Sequence, residues 1–293
     1  MAEQSLQPDP ESEIRGQLED WIPMTRFEIE KKDNIATLTI NQPESLNALS
    51  TSPDWAEYDS YMRSVFFSLK NDPDVRVIIV TGAGDKAFSS GANVKNWGRR
   101  EALYRKIGRP RPPVLMREGT QMPYIWMRHL QKPSIAAVNG LAVGMGADLA
   151  LACDFRIASE KAWFQWAYIL RGMMPMDGAC WLLPRLAGPA KAMELLMTGD
   201  RVYAEEAQKL GIVNKVVPHE KLKEATWELA TKIAKGPWAA IQMVRYSVYA
   251  GMTQSFTDNL GLAMLAENME HETIAEGMIA RGVEKKDADF KGK

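Results

Sequence analysis

With only two cysteines and three histidines in 293 residues, the chain has too little of either for a disulfide framework or a zinc site. Cys153 and Cys180 both sit in apolar runs, and a reducing, cytoplasmic compartment is the expectation. His129, His219 and His271 fit no metal-binding spacing such as H-E-x-x-H, and no G-x-S-x-G elbow occurs. Metal-dependent and serine-hydrolase chemistries are set aside on that basis, and no metal is expected. Long apolar runs are also missing: nothing approaches the roughly 18 to 20 residues needed to cross a bilayer, so no membrane is expected as a partner. Charge of one sign is absent too. With 36 basic against 37 acidic residues the formal net charge is −1, which gives no general attraction to nucleic acid or anionic lipid and points to a small ligand. The first stretch, to about Asp20, is acidic and polar and lacks the basic start and apolar core of a secretory signal. Residues 1–22 are expected to form a loose arm.

What is present is an ordinary globular composition, 46% hydrophobic and 25% charged, enough to bury a large core. Phe27 to Glu30 and Ile35 to Ile40 flank the turn-type sequence Lys31-Lys32-Asp33-Asn34, which predicts a hairpin. Ser52-Pro53 supplies an N-cap and a first-turn proline for a helix whose apolar residues, Trp55 to Leu69, recur at helical spacing. Val75 to Val80 is nearly continuous and β-branched, as expected of a strand covered on both faces. The order then repeats: a helix ending near Gln131, a strand Ser134 to Val138, glycine turns, a helix from about Gly144 and a strand Phe155 to Ala158. This alternation predicts an α/β fold of βαβ or ββα units with mainly parallel pairing. After Gly178 nearly everything reads as helical. The expected division is an arm at 1–22, an α/β core at 23–195 and a helical region at 196–293.

Two glycine turns carry the chemistry. Phe88-Ser89-Ser90-Gly91-Ala92-Asn93 follows one buried strand, and Asn139-Gly140-Leu141-Ala142-Val143-Gly144-Met145-Gly146-Ala147-Asp148 follows the next. A glycine after a strand is by itself most often a turn. Together, however, the two turns allow two backbone N–H groups to converge at neighbouring strand ends. The second also opens a helix, whose N-terminal partial positive charge favours a developing oxyanion.

These turns, with Asn41 to Leu49, Lys132 to Gly140, Ala152 to Ala158, and Thr198-Gly199 through Ala204 to Ala207 and on to Gly211 to Asn214, resemble the crotonase (enoyl-CoA hydratase/isomerase) superfamily over about residues 25 to 293. The resemblance implies a crotonase-like spiral of ββα units, a C-terminal helical trimerisation region, a homotrimer or hexamer, and an acyl-CoA substrate with no cofactor beyond coenzyme A itself. It assigns the oxyanion hole to the N–H groups of Ala92 and Met145. Methionine stands at Met145 where the family has glycine, which leaves a backbone donor in place. Each such donor typically contributes about 2.7 to 4 kcal/mol in the transition state. It further points to Asn47, Ala48, Ser90 and Lys95 for coenzyme A, within a segment from Lys95 to Arg117 that also carries Arg99, Arg100, Arg105, Lys106, Arg109 and Arg111. That run equally fits a solvated loop.

Family hydratases use a glutamate where Asp148 stands, so the carboxylate is kept but its reach is shorter by roughly 1.5 Å. By itself Asp148 also fits a first-turn aspartate favoured by the helix dipole. The second family glutamate falls on Tyr168, whose hydroxyl, ordinarily near pKa 10, donates a proton or orients water but is a poor base. A hydrogen-bonded core tyrosine fits as well. Asp177 lies in a turn that faces the catalytic water in the family; it supplies the missing carboxylate or caps the helix starting near Gly178. Trp163, Trp166 and Trp181, with Met173, Met174 and Met176, are core residues by default and as a group fit a pocket for a bulky or cyclic acyl chain. The leading expectation is hydration or double-bond migration through a thioester enolate. The enzyme alternative is a CoA-thioester hydrolase or dehalogenase, in which Asp148 or Asp177 activates water or attacks carbon to break a C–C or C–halogen bond in a CoA-linked substrate. The non-enzyme alternative is an RNA-binding or structural homologue, opposed by the near-neutral charge and the intact glycine turns.

Overall fold

The computed structural model describes residues 27–49, 55–95, 121–268 and 271–285, with positions 98, 102, 105, 106, 108, 288 and 290. The arm at 1–22, the Ser52-Pro53 pair, and Arg99, Arg100, Arg109 and Arg111 lie outside the described residues. Strands β1 (Phe27–Lys32) and β2 (Ile35–Ile40) form the expected antiparallel hairpin, with Lys32 opposite Ile35. The reversal needs only Asp33 and Asn34, at φ 51° and 62°, residue types that tolerate the left-handed region. The first strand therefore runs two residues past Glu30. Helix α1 (Trp55–Asn71) follows, burying Met62, Val65, Phe66 and Leu69 at spacings of three and four.

From there the chain winds as a spiral in which successive turns give one strand to each of two sheets and then a helix. The first such turn is β3 (Val77–Gly82), β4 (Ala87–Ser89) and α2 (Met122–His129); the second is β5 (Ser134–Val138), β6 (Leu141–Val143) and α3 (Met145–Ala152); the third is β7 (Phe155–Ser159), β8 (Trp163–Gln165) and α4 (Ala179–Ala187). Further on lie α5 (Pro189–Thr198), β9 (Arg201–Tyr203), α6 (Ala204–Lys209) and β10 (Lys215–Val217). One sheet has the order β1-β2-β3-β5-β7-β10 and the other β4-β6-β8-β9. Apart from the β1–β2 and β8–β9 pairs, neighbours run parallel. Because β9 and β10 complete these sheets, the architecture runs through residue 195 without a break.

Both faces of the larger sheet are covered at its inner strands β3 and β5, which explains their continuous apolar runs, while the edge strand β1 is largely exposed. Ala36, Leu38, Ile40, Ile78, Val80, Ala136 and Val138 point into the main core, while Ile35, Val77, Ile79, Ile135 and Ile157 point to a second cluster under α7 (Leu222–Ala234). Helices α8 (Trp238–Gly251), α9 (Phe256–Asn268) and α10 (His271–Met278) complete the C-terminal part. Pro237 stands one position before the first turn of α8, as its N-cap.

Candidate active site

Strands β4 and β6 are parallel neighbours, so the two glycine turns leave the same end of the same sheet. On the outer edge of β4 the Leu49 N–H donates to the Gly91 carbonyl at 2.7 Å and the Asn93 N–H to the Leu49 carbonyl at 3.4 Å. The trans peptide between Gly91 and Ala92 then sets the Ala92 N–H opposite the Gly91 carbonyl, away from Leu49. Met145 is the first residue of α3, with an N–H that has no acceptor within its own helix. The two turns nearly touch. Gly91 has φ 80°, and a Cβ there would come 2.2 Å from the Val143 carbonyl and 3.1 Å from the Met145 nitrogen. A side chain at this position would crowd that amide nitrogen. Gly146 allows the matching approach, since its Cβ would lie 2.4 Å from the Ser89 carbonyl oxygen.

The segment expected to meet coenzyme A is stitched to the first turn. The Ser90 N–H donates to the Leu46 carbonyl at 2.9 Å and the Ser90 hydroxyl to the Ser45 carbonyl at 3.1 Å. Asn47 is fully buried; its amide donates to the Ala83 and Ala87 carbonyls at 2.9 and 2.7 Å and its oxygen accepts from the Gln42 N–H at 3.0 Å. Its side chain therefore locks a corner, leaving the backbone at Asn47 and the buried Ala48 beside Ser90. Lys95, Arg105 and Lys106 are exposed.

Asp148, Tyr168 and Asp177 come together from three elements. Asp148 is fully buried on α3, accepting from the Trp166 indole N–H at 3.1 Å on Oδ1, with the Tyr168 hydroxyl 2.5 Å from Oδ2. The same hydroxyl lies 3.1 Å from Asp177 Oδ2. Asp177 Oδ1 is buried with no hydrogen-bond partner in the structure. The capping alternative for Asp177 is overturned: α4 has Gly178 as its N-cap, with no side-chain bond to its first turn. Gln121, just ahead of α2, holds this turn by donating to the Met176 carbonyl at 2.7 Å, and the Tyr124 hydroxyl donates to the Met145 carbonyl at 3.1 Å. The Tyr168 ring packs toward the second glycine turn, its Cζ 3.8 Å from where a Gly144 Cβ would stand.

Burial dominates the electrostatics. Desolvation, then the charge of Asp177, raises the Asp148 carboxyl well above its ordinary range, opposed by the bonds from Tyr168 and Trp166. Asp177 is pushed up to about 7 by burial, against the lowering effect of the Tyr168 hydroxyl. Tyr168 is itself raised, by burial and then by the two carboxyls. Such an array holds protons at neutral pH, as acid–base work requires.

The aromatic and methionine group does not assemble as expected. The Trp163 ring carries the Arg201 guanidinium 4.2 Å from its centroid, and Trp181 lines a cavity of about 630 Å³ with Arg128, Arg245 and Tyr249, between α4 and α8. Met174 is exposed. Trp166 bonds to the Asp148 carboxyl, and Met176 precedes Asp177 in its turn. The part of Trp166 was missed in the sequence, because β8 ends at Gln165 and the turn that brings Trp166 and Tyr168 to the same carboxyl has no period to read. Cys153 is buried as expected, whereas Cys180 is exposed.

Residues 30–293 match the family model described as Enoyl-CoA hydratase/isomerase. A crotonyl-CoA hydratase from Syntrophomonas wolfei is 34% identical over 272 residues, 89% of this chain and 96% of that protein. A short-chain-enoyl-CoA hydratase from Clostridium acetobutylicum is 35% identical over 225 residues, 76% of this chain and 81% of the relative. Among solved structures, the enoyl-CoA hydratase from Bacillus anthracis superposes with a TM-score of 0.80 at 30% identity, covering 91% of this chain and 99% of that one.

Proposed function

Because the chain belongs to the enoyl-CoA hydratase/isomerase family, we propose that it adds water across the double bond of a 2-enoyl-CoA, through an enolate held by the N–H groups of Ala92 and Met145. The observation that carries this reading is the contact between the two glycine turns, Gly91 against the Met145 amide, at the start of the helix that also bears Asp148. Two backbone donors and a helix N-terminus stabilise charge only as it develops on the thioester oxygen, so they lower the barrier rather than tighten ground-state binding. Proton transfer falls to the Asp148, Tyr168 and Asp177 cluster. Coenzyme A would run along the backbone of Asn47 and Ala48, past Ser90, with Lys95 available to its phosphates through charge-assisted contacts.

The acyl group is proposed to be bulky or cyclic. An aspartate at 148 sits further back than a glutamate would, and the indole and phenol of Trp166 and Tyr168 make the wall beside it aromatic. The test is hydration of crotonyl-CoA and of a cyclohexenecarbonyl-CoA, followed by loss of the conjugated thioester's ultraviolet absorbance. Both should be hydrated, the cyclic substrate with the higher kcat/KM; a preference for crotonyl-CoA would remove the bulky-substrate part alone. Asp148→Ala should lower turnover at least about 100-fold, the usual scale for a general acid or base group. Near-normal turnover by that variant would sink the mechanism.

A further inference from the structure

Hydrogen-bond counting at the carboxyl cluster fixes how much charge it can carry, and the roles its members then take in water addition rest on the hydratase reading. The Tyr168 hydroxyl lies within bonding distance of Asp148 Oδ2 and Asp177 Oδ2, yet a phenol has one proton to give. If both carboxyls were ionised, one of these contacts would set an oxygen lone pair against a buried carboxylate with no proton between them. Among the described residues the groups that shift the three titrations are Trp166, Tyr124 and the three themselves, with no lysine, arginine or histidine. Cys180, on α4, is a further titratable group that feels Asp148. Two buried carboxylates without a cation lose several kcal/mol of solvation each. One of the two must therefore hold a proton.

We propose that Asp148, Tyr168 and Asp177 work as one unit carrying a single negative charge, in which Asp177 deprotonates the attacking water, Tyr168 passes protons between the carboxyls, and Asp148 is held neutral as the proton store. The placement of the charge follows from the acceptors left unused. Both Asp148 oxygens already accept hydrogen bonds in a fully buried pocket, whereas Asp177 Oδ1, though also buried, is unpartnered, so Asp177 is the carboxyl with an oxygen left to accept a proton from a bound water. The α3 dipole favours charge on Asp148, but by no more than about 2 kcal/mol, less than the burial it opposes. The direction of both carboxyl shifts agrees, with Asp148 feeling the charge of Asp177 and Asp177 ionising near 7.

In the hydration, water gives one proton to Asp177 Oδ1 while its oxygen bonds to the β-carbon. The π electrons of the double bond move onto the thioester oxygen as the enolate. The enolate collapses, and its α-carbon takes a proton from the Tyr168 hydroxyl, which draws one from Asp148. The unit has gained one proton and lost one. Once the Asp177 carboxyl turns to present that proton to the Tyr168 hydroxyl, transfer through Tyr168 to Asp148 restores the starting arrangement, with one water added.

The experiment pairs kcat/KM against pH for crotonyl-CoA hydration with infrared spectra of the neutral-carboxyl band, in the wild type, Asp148→Asn, Asp177→Asn and Tyr168→Phe, each with its melting temperature. Wild-type activity should rise with pH through about 7. Asp177→Asn should abolish that limb and lower activity at least about 100-fold. Asp148→Asn should lose activity but keep the limb, because the group it replaces was already neutral. Tyr168→Phe should move the limb to higher pH, since the hydroxyl that stabilises the Asp177 carboxylate is gone. At about pH 8 a neutral-carboxyl band should be present in the wild type and in Asp177→Asn and missing from Asp148→Asn. The band without any hydration would overturn the hydratase reading alone. Hydration without the band, or a limb abolished by Asp148→Asn and kept by Asp177→Asn, would overturn this assignment.

Discussion

Burial lifts the Asp177 carboxyl from an ordinary 3.8 to about 7, so the folded protein binds its proton more tightly than the unfolded chain does. Below about 4 both states hold that proton and the folded state loses nothing. As pH rises from about 4 through about 7, the unfolded chain releases it first and stability falls. Above 7 the native state carries a buried charge that the unfolded state solvates freely. Asp177→Asn keeps an acceptor for the Tyr168 hydroxyl and removes that charge, so at about pH 8 the variant should be more stable than the wild type, by no more than about 4 kcal/mol, and should melt at a higher temperature. The difference should vanish near pH 4. Equal melting temperatures at both pH values would show that Asp177 is not held above its ordinary range. Gly91 poses a steric question instead: Gly91→Ala puts a methyl 2.2 Å from the Val143 carbonyl at a φ of 80°. Per folded molecule, kcat should fall at least about 100-fold, the scale of one lost oxyanion donor. Retained kcat would place the oxyanion elsewhere.

Helix α8 is held to the spiral through Asp154, at the corner between α3 and β7. Its carboxylate accepts from the Ser134 N–H at 2.8 Å, the Ser134 hydroxyl at 3.0 Å, Arg245 Nε at 2.8 Å and the Tyr249 hydroxyl. The other Arg245 nitrogens reach the Arg128 and Met127 carbonyls at the end of α2, at 3.0 and 3.3 Å. Both side chains of the ion pair are about nine-tenths buried. Removing one partner leaves an uncompensated buried charge, and Arg245→Ala should destabilise the fold by about 3 to 5 kcal/mol, read from the urea midpoint. A shift under about 1 kcal/mol, the range of exposed pairs, would contradict the clamp. The stretch Ala152 to Ala158 carries part of the family resemblance, yet this role could not be read there. Its partner lies 91 residues further on, and local periodicity carries no information about so distant a contact.

Taken alone, the folded chain leaves apolar side chains on its C-terminal helices uncovered. Val244 and Val248 on α8, Phe256, Leu260, Met264 and Leu265 on α9, and Met278 on α10 are all exposed. Scattered apolar residues are normal on a surface, but a run of them along consecutive helices marks an interaction face. The expected state is a homotrimer or hexamer, with these helices at the subunit contacts. Light scattering should give a mass at least three times that of the chain, and a stable monomer at micromolar concentration would refute it. No helix among the described residues is long and apolar enough to cross a membrane.

By itself the sequence determined the parts whose physics is local. Period-two and continuous β-branched runs specify strands, spacings of three and four specify helices, and glycine is needed where one backbone passes within a Cβ of another. The hairpin, the ββα order and both glycine turns were legible for that reason. Asp148, Tyr168 and Asp177 could each be named as candidates, but each kept a second reading as helix-dipole aspartate, core tyrosine or helix cap. Tertiary structure decided among them. Asp148 and Tyr168 are 20 residues apart, and Tyr168 and Asp177 nine; they meet because β8 runs parallel beside β6 and the following turn folds back over the start of α3. Proton occupancy depends on burial and on the distances between those groups, which only the assembled fold sets.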